Sequence, residues 1–308
     1  MRKARDSSRL LAFGLLTLAV LAWSGNVLLG RALHQEIPPV ALAFWRWALA
    51  TVLLLPFAWR HLWRDRGALW GGWPLLLLLS VLGVSTFNTL LYHAAHSTTA
   101  TNIALMQTAM PAGIVALDLI LFRRRPAGRG VAGAFLAMAG AAVVVLRGDP
   151  RSLLALDLVE GDLWMLVAVL AYALYSVLIP RRPRSHMLAF LGATFVVGTV
   201  LLLPVFLWER AVQGPHPWSA GVAAAILYVA VFPSILAYFF WNRGVEVVGP
   251  GQTGLFICLM PIFTAALAVP LLGERLAPFH LAGFVLIVAG IFLFRDGAEG
   301  RPSEQLGK

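Results

Sequence analysis

The chain has 308 residues, of which 60% are hydrophobic and 12% charged, and its formal charge of +10 comes from 24 basic residues, 22 of them arginine. Polar surface this scarce cannot cover a water-soluble domain, so the lipid bilayer is the main solvent. The basic excess implies no nucleic-acid partner, because short loops on one side of a membrane account for it.

The apolar residues come in blocks such as Leu75–Leu79, Ala132–Leu146 and Leu281–Phe294. With their flanks these approach the roughly 20 residues that cross about 30 Å of hydrocarbon. Breaks at charge clusters, Pro and Gly place spans at 10–30, 38–58, 71–92, 99–121, 131–146, 161–180, 187–208, 218–241, 250–272 and 278–294. The expected fold is an all-α polytopic membrane protein of ten transmembrane helices. Arg2–Arg9 followed by Leu10–Trp23 resembles a signal peptide. However, no small-x-small cleavage site with a polar start follows, and the run continues into Val27–Gly30. With the N-terminus in the cytoplasm, 18 Lys and Arg fall on the inner side, five on the outer and one, Arg46, within a span. That asymmetry puts both termini inside an inner, or plasma, membrane.

Shifted by 150 residues, the chain matches itself without a gap. Met110-Pro111 falls on Met260-Pro261, and Gly133 and Gly140 fall on Gly283 and Gly290. Shared Leu and Ala are cheap in membrane sequences; the Met-Pro pair and spaced glycines are not. Two units follow, 1–150 and 151–308, the second ending in a short cytoplasmic tail. Five spans per unit is an odd number, so the second enters the membrane from the opposite side. Inverted repeats of this kind let a midplane site face each side in turn, which favours a carrier, although channels use them too.

These residues also carry a resemblance. Trp23-Ser24-Gly25-Asn26 in the first span, Arg46 in the second, and the last hairpin with Pro261, Leu272-Gly273-Glu274-Arg275, Gly283 and Gly290 are similar to the EamA-type branch of the drug/metabolite transporter superfamily. The similarity covers essentially the whole chain, and the aromatic amino-acid exporters look nearest. Two departures lie in the first hairpin, Arg123-Arg124-Arg125 in place of a Glu-Arg pair, and at Val196, where a second Arg46 would stand. The resemblance implies export or exchange of small metabolites, commonly amino acids and sometimes cationic drugs.

No phosphate-binding Gly-rich loop, metal-spaced His/Cys/Asp cluster or hydrolase motif is present, so neither cofactor nor covalent catalysis is implied. Cys258 has no possible intrachain disulfide partner and reads as a packing residue. Arg46 lies about 12 Å along its helix from Pro38, deep for a side chain that would snorkel. It is either an anchor for a substrate carboxylate or a structural partner of helix-end carbonyls or of Asp118. Asp118 itself, about one turn before Arg123, reads as an interfacial partner for Arg123–Arg129 or as a residue of the transport path, and no carboxylate occupies the middle of a span.

Asn88 and Tyr92 share a helix face, and their mates at the 150-residue offset are Tyr238 and Asn242, the same two residue types exchanged. Asn102, its mate Gln252 and Gln107 extend the polar lining. Trp23 with Asn26, and Tyr172 with Tyr175, make it aromatic. Such a wall suits a zwitterion or amphipathic metabolite, and the same residues also read as interface markers or packing. His93 and His96 read as solvated residues at the outer end of the third span. Pro111 and Pro261 are candidate hinges or static kinks. Gly133, Ala137, Gly140, Gly283 and Gly290 mark close helix contact in scaffold or homodimer helices. The rivals are a cationic-drug exporter, which wants an anionic cavity residue, a membrane receptor or scaffold, and a membrane-embedded enzyme.

Overall fold

A computed structural model describes residues 2–98, 100–124, 128–153, 159–216, 218–272 and 276–298, and these form helices joined by short turns, with no strand among them. In chain order come α1 (Arg2–Ala32), α2 (Pro39–Gly71), α3 (Trp73–Ser80), a π-helical segment (Val81–Thr86), α4 (Phe87–Ser97), α5 (Ala100–Thr108), α6 (Met110–Phe122) and α7 (Gly128–Val145). Then follow α8 (Glu160–Leu178), α9 (Met187–Gln213), α10 (Ala220–Ala230), a second π segment (Val231–Leu236), α11 (Ala237–Val248), α12 (Pro250–Leu255), a 3-10 turn (Phe256–Leu259), α13 (Met260–Leu272) and α14 (Pro278–Ala298). Nine helices among the described residues are long and apolar enough to cross a membrane, and Pro278–Phe294 is a shorter apolar helix. Glu274 and its neighbours Gly273 and Arg275 lie outside the described residues.

The two π segments start at Val81 and Val231, the same 150-residue offset that aligns the sequence with itself. The long apolar rods therefore carry the same backbone irregularity at equivalent depth. The α5–α6 and α12–α13 rods match in the same way. Each loses regular α geometry just before Met110-Pro111 or Met260-Pro261, so each Pro sits in the first turn of a new helix, where its missing N–H costs nothing.

Contacts between mated helices run in opposite directions. On α2 and α9, Ala58 packs at Gly192, Thr51 bonds Thr199 at 3.2 Å, and Phe44 stacks on Phe206 with ring centroids 4.3 Å apart. On α7 and α14, Gly133 meets Gly290 and Gly140 meets Gly283. A Cβ on Gly133 would lie 2.6 Å from the Gly290 carbonyl oxygen, and one on Gly290 2.5 Å from that of Gly133. The expected close contact of these glycines is thus made within one chain.

The molecule is apolar outside and polar-aromatic inside. Phe57, Trp59 and Val52 are exposed, whereas Arg46, Trp47, Tyr92, Tyr172, Tyr175, Tyr238 and Trp241 are fully buried. That distribution fits a lipid-facing surface around a specific interior.

Candidate functional site

The site is organised around Arg46 on α2, which is 0% exposed. Its Nη1 donates to Asn26 Oδ1 at 3.1 Å, Asn88 Oδ1 at 2.7 Å and the Tyr92 hydroxyl at 2.9 Å. Its Nε donates to Ser234 Oγ at 2.6 Å and its Nη2 to the Pro233 carbonyl at 2.9 Å. The first three partners come from the first half of the chain and the last two from the second. All are neutral. Asp118 is not among them; it faces the charges of Arg124 and Arg181 instead.

The π segments explain how backbone reaches this centre. Pro233 has no N–H, so the Val229 carbonyl one turn earlier loses its helical donor. The Ser234 hydroxyl donates to that carbonyl at 2.6 Å, and its oxygen is left to receive Arg46. The Pro233 carbonyl also accepts Trp23 Nε1 at 2.9 Å. At the equivalent position in the first half, the Gly83 carbonyl accepts the Tyr238 hydroxyl. Each widened helix therefore offers one carbonyl to the opposite half.

Of the sequence-derived residues, Asn88 and Tyr238 meet across the halves, Asn88 Nδ2 donating to the Tyr238 hydroxyl at 3.4 Å. Asn242 Nδ2 donates to the Tyr175 hydroxyl at 3.0 Å. Trp23 lies edge-on to Tyr172 at 5.6 Å and 5.0 Å from Trp241. Trp23, Asn26, Gln107 and Tyr172 line a cavity of about 10 Å³ together with Phe87, Leu91, Met110, Ile257 and Met260. That volume holds about one water. Gln107 is 2% exposed, and its Nε2 makes no hydrogen bond.

Asn102 is placed elsewhere: its amide donates at 3.0 Å to Asp162, which also accepts the Thr98 hydroxyl and the Val159 N–H at the start of α8. Its position at the start of a span suggested the cavity, but the carboxylate at the start of α8 holds it at that end of the bundle. Gln252 is buried with an unbonded Nε2 and does not line this cavity. His93 and His96 are exposed on α4. Ser234, Phe87, Met110, Ile257 and Met260 were missed by sequence reasoning. The Pro-Ser pair inside an apolar span was the one signal that could have found Ser234.

The EamA-like transporter family model matches residues 10–146 and 159–295. An uncharacterized transporter of Archaeoglobus fulgidus is 28% identical over 91% of this chain and 95% of its own length. A probable terminal-alkyne amino-acid exporter of Streptantibioticus cattleyicolor is 25% identical over 75% of this chain and 76% of its own. An uncharacterized inner membrane transporter of Salmonella typhimurium is 24% identical over 71% of each chain. One crystal structure superposes with a TM-score of 0.73 over 94% of this chain and 96% of that one, at 18% identity, which shows a shared fold. Two family units cover nearly the whole length of a chain built from apolar spanning helices: the protein belongs to the EamA-like transporter family and is a multi-pass transporter of the inner membrane.

Proposed function

We propose that the protein is a secondary carrier that exports small metabolites, amino acids first among them, by alternating access through the central cavity. In this reading ten spans form two inverted five-helix repeats with both termini in the cytoplasm. Pro111 and Pro261 are the hinges about which the halves rock. Substrate contacts come from Trp23, Asn26, Gln107 and Tyr172, framed by Arg46, Asn88, Tyr92, Tyr175, Tyr238 and Asn242. The carrying observation is the position of Arg46. It is a fully buried charge with only neutral partners, drawn from both halves and one residue away from the cavity through Asn26. An intramembrane charge placed this way marks a transport pathway rather than a lipid-facing surface. The opposed directions of α2 and α9, and of α7 and α14, support the inverted arrangement. The relative named as a probable amino-acid exporter supports the substrate class.

The test is uptake into proteoliposomes of labelled Trp, Phe, Thr, Met, Lys and Glu, with and without an imposed proton gradient. Uptake above empty liposomes that is lost in Asn88→Ala or Tyr92→Ala is the expected result. Failure of every amino acid in folded protein, with a lipophilic cation carried instead, would replace this reading with cationic-drug efflux.

A further inference from the structure

The cavity beside Trp23 is lined by two amides and the Tyr172 hydroxyl and by no ionised side chain. Asn26 cannot reverse its amide, because its Oδ1 receives Arg46 Nη1 at 3.1 Å and the Tyr92 hydroxyl at 2.6 Å, and a guanidinium offers only donors. The Asn26 amide nitrogen is therefore turned away from those two groups, on a residue that lines the cavity. Gln107 lines the same cavity, and its Nε2 is buried without an acceptor. A buried amide donor left unmade is costly, and native interiors rarely keep one without a use.

Behind Asn26 stands the Arg46 charge, bonded to Ser234, Pro233, Asn26, Asn88 and Tyr92 and to no carboxylate among the described residues. The buried carboxylates among the described residues are engaged elsewhere, Asp162 with Thr98 and Asn102, and Glu209 with the backbone of Val40 and Ala41. Field lines from a buried cation are weakly screened in such an interior. A carboxylate entering the cavity meets the amides of Asn26 and Gln107, with the Arg46 charge behind the first of them. An ammonium meets the same charge, and no carboxylate lines the cavity to offset it. The rest of the wall is apolar or aromatic, with Trp23, Phe87 and Met110 suited to a hydrophobic substituent.

We infer that this cavity is a carboxylate subsite: Asn26 and Gln107 hold the anionic end of an amphipathic substrate, its apolar part lies against Trp23 and Phe87, and no ammonium group is needed for binding. The inference rests on the carrier reading, and it does not require the substrate to be an amino acid. It therefore extends the substrate class to monocarboxylates that lack the amine.

Calorimetric titration of the full chain in lipid nanodiscs tests it with three matched probes: phenylalanine, 3-phenylpropionate (no ammonium) and 2-phenylethylamine (no carboxylate). The expected result is binding of 3-phenylpropionate at least as tight as that of phenylalanine, and none of 2-phenylethylamine. Gln107→Leu should weaken 3-phenylpropionate about tenfold or more, the scale of a hydrogen bond to a charged group, with an unchanged melting temperature. Gln107→Glu should abolish it. Binding of 3-phenylpropionate without phenylalanine would sink the amino-acid reading and leave this subsite standing. The proposal is overturned by 2-phenylethylamine binding where 3-phenylpropionate does not, by no binding of any probe to protein with an intact melting transition, or by full affinity in Gln107→Leu.

Discussion

Arg46 and Ser234 are 188 residues apart in sequence and joined by a 2.6 Å hydrogen bond that fastens α2 to the second π segment. The same hydroxyl donates to the Val229 carbonyl that Pro233 leaves without a donor. Ser234→Ala therefore strands two buried groups at once. The expected loss is about 2–4 kcal/mol, from a charged donor and a carbonyl both left unmade. Ser234→Thr keeps the hydroxyl and should fall well short of that loss. Thermal melting of both purified variants checks the pair, and equal melting of Ser234→Ala and wild type would contradict the assignment.

The α7–α14 contact makes a second prediction. A methyl group added at Gly133 would strike the Gly290 carbonyl and the backbone nitrogen of Phe294, neither of which can swing aside as a side chain would. Gly133→Ala should destabilise by about 1–3 kcal/mol through overpacking. Gly67, on the exposed end of α2 with nothing within 4 Å, is the control. Gly67→Ala should leave melting unchanged or raise stability by up to about 1 kcal/mol.

Glu209 on α9 caps the start of α2 from outside that helix. Its two carboxylate oxygens accept Val40 N–H at 3.0 Å and Ala41 N–H at 2.7 Å. First-turn N–H groups have no helical partner, and Pro38 at the cap position supplies no side-chain acceptor. Glu209→Ala should cost about 1–2 kcal/mol, in the range of a lost N-cap. Glu209→Gln, with one acceptor oxygen left, should lie between the two. Hydrogen exchange at Val40 and Ala41 would report the loss locally.

A pH response is expected from His186, which lies in the connection before α9. Its Nδ1 accepts the Leu188 N–H at 3.3 Å, and its ring stacks on His61 with centroids 3.7 Å apart. Burial first, then the charges of His61, Arg64 and Arg182, lower its pKa below the ordinary imidazole value, against the opposing pull of Asp65. A lowered pKa in the folded state means the unfolded chain binds the proton first as pH falls. The stabilising contribution is thus complete above about pH 6.5 and is lost below it. His186→Ser keeps an acceptor for the cap and cannot titrate. Between about pH 8 and about pH 5, its melting temperature should fall less than that of wild type; equal falls would assign the response to other groups.

The sequence displays its helices because lipid demands long apolar blocks, and it displays the repeat because Met110-Pro111 and the paired glycines sit at unusual, fixed spacings. Arg46 was conspicuous for the same reason, being a charge where charges are expensive. The π segments were invisible. A helix that widens by one residue keeps an apolar composition, and only Gly83 and Pro233, one in each half, hint at the irregularity. The bond of Asn102 to Asp162 was not legible, because position along a span says nothing about which distant carboxylate a side chain will find; Asp162 is 60 residues away. The cavity was half legible. Its polar members repeat or stand out in an apolar chain, but Phe87, Ile257 and Met260 look like any other packing residue until the helices are assembled.

The divided ownership of Arg46 also bears on how the chain is made. Asn26 precedes Arg46, while Asn88 and Tyr92 follow within 46 residues, so those bonds can form while the first half is still leaving the ribosome. The Pro233 carbonyl comes 187 residues later. At roughly 5–20 residues per second, the remaining guanidinium nitrogens wait about 10–40 s for partners. During that interval the nascent half-protein carries an incompletely satisfied cation, which only the second half of the chain completes.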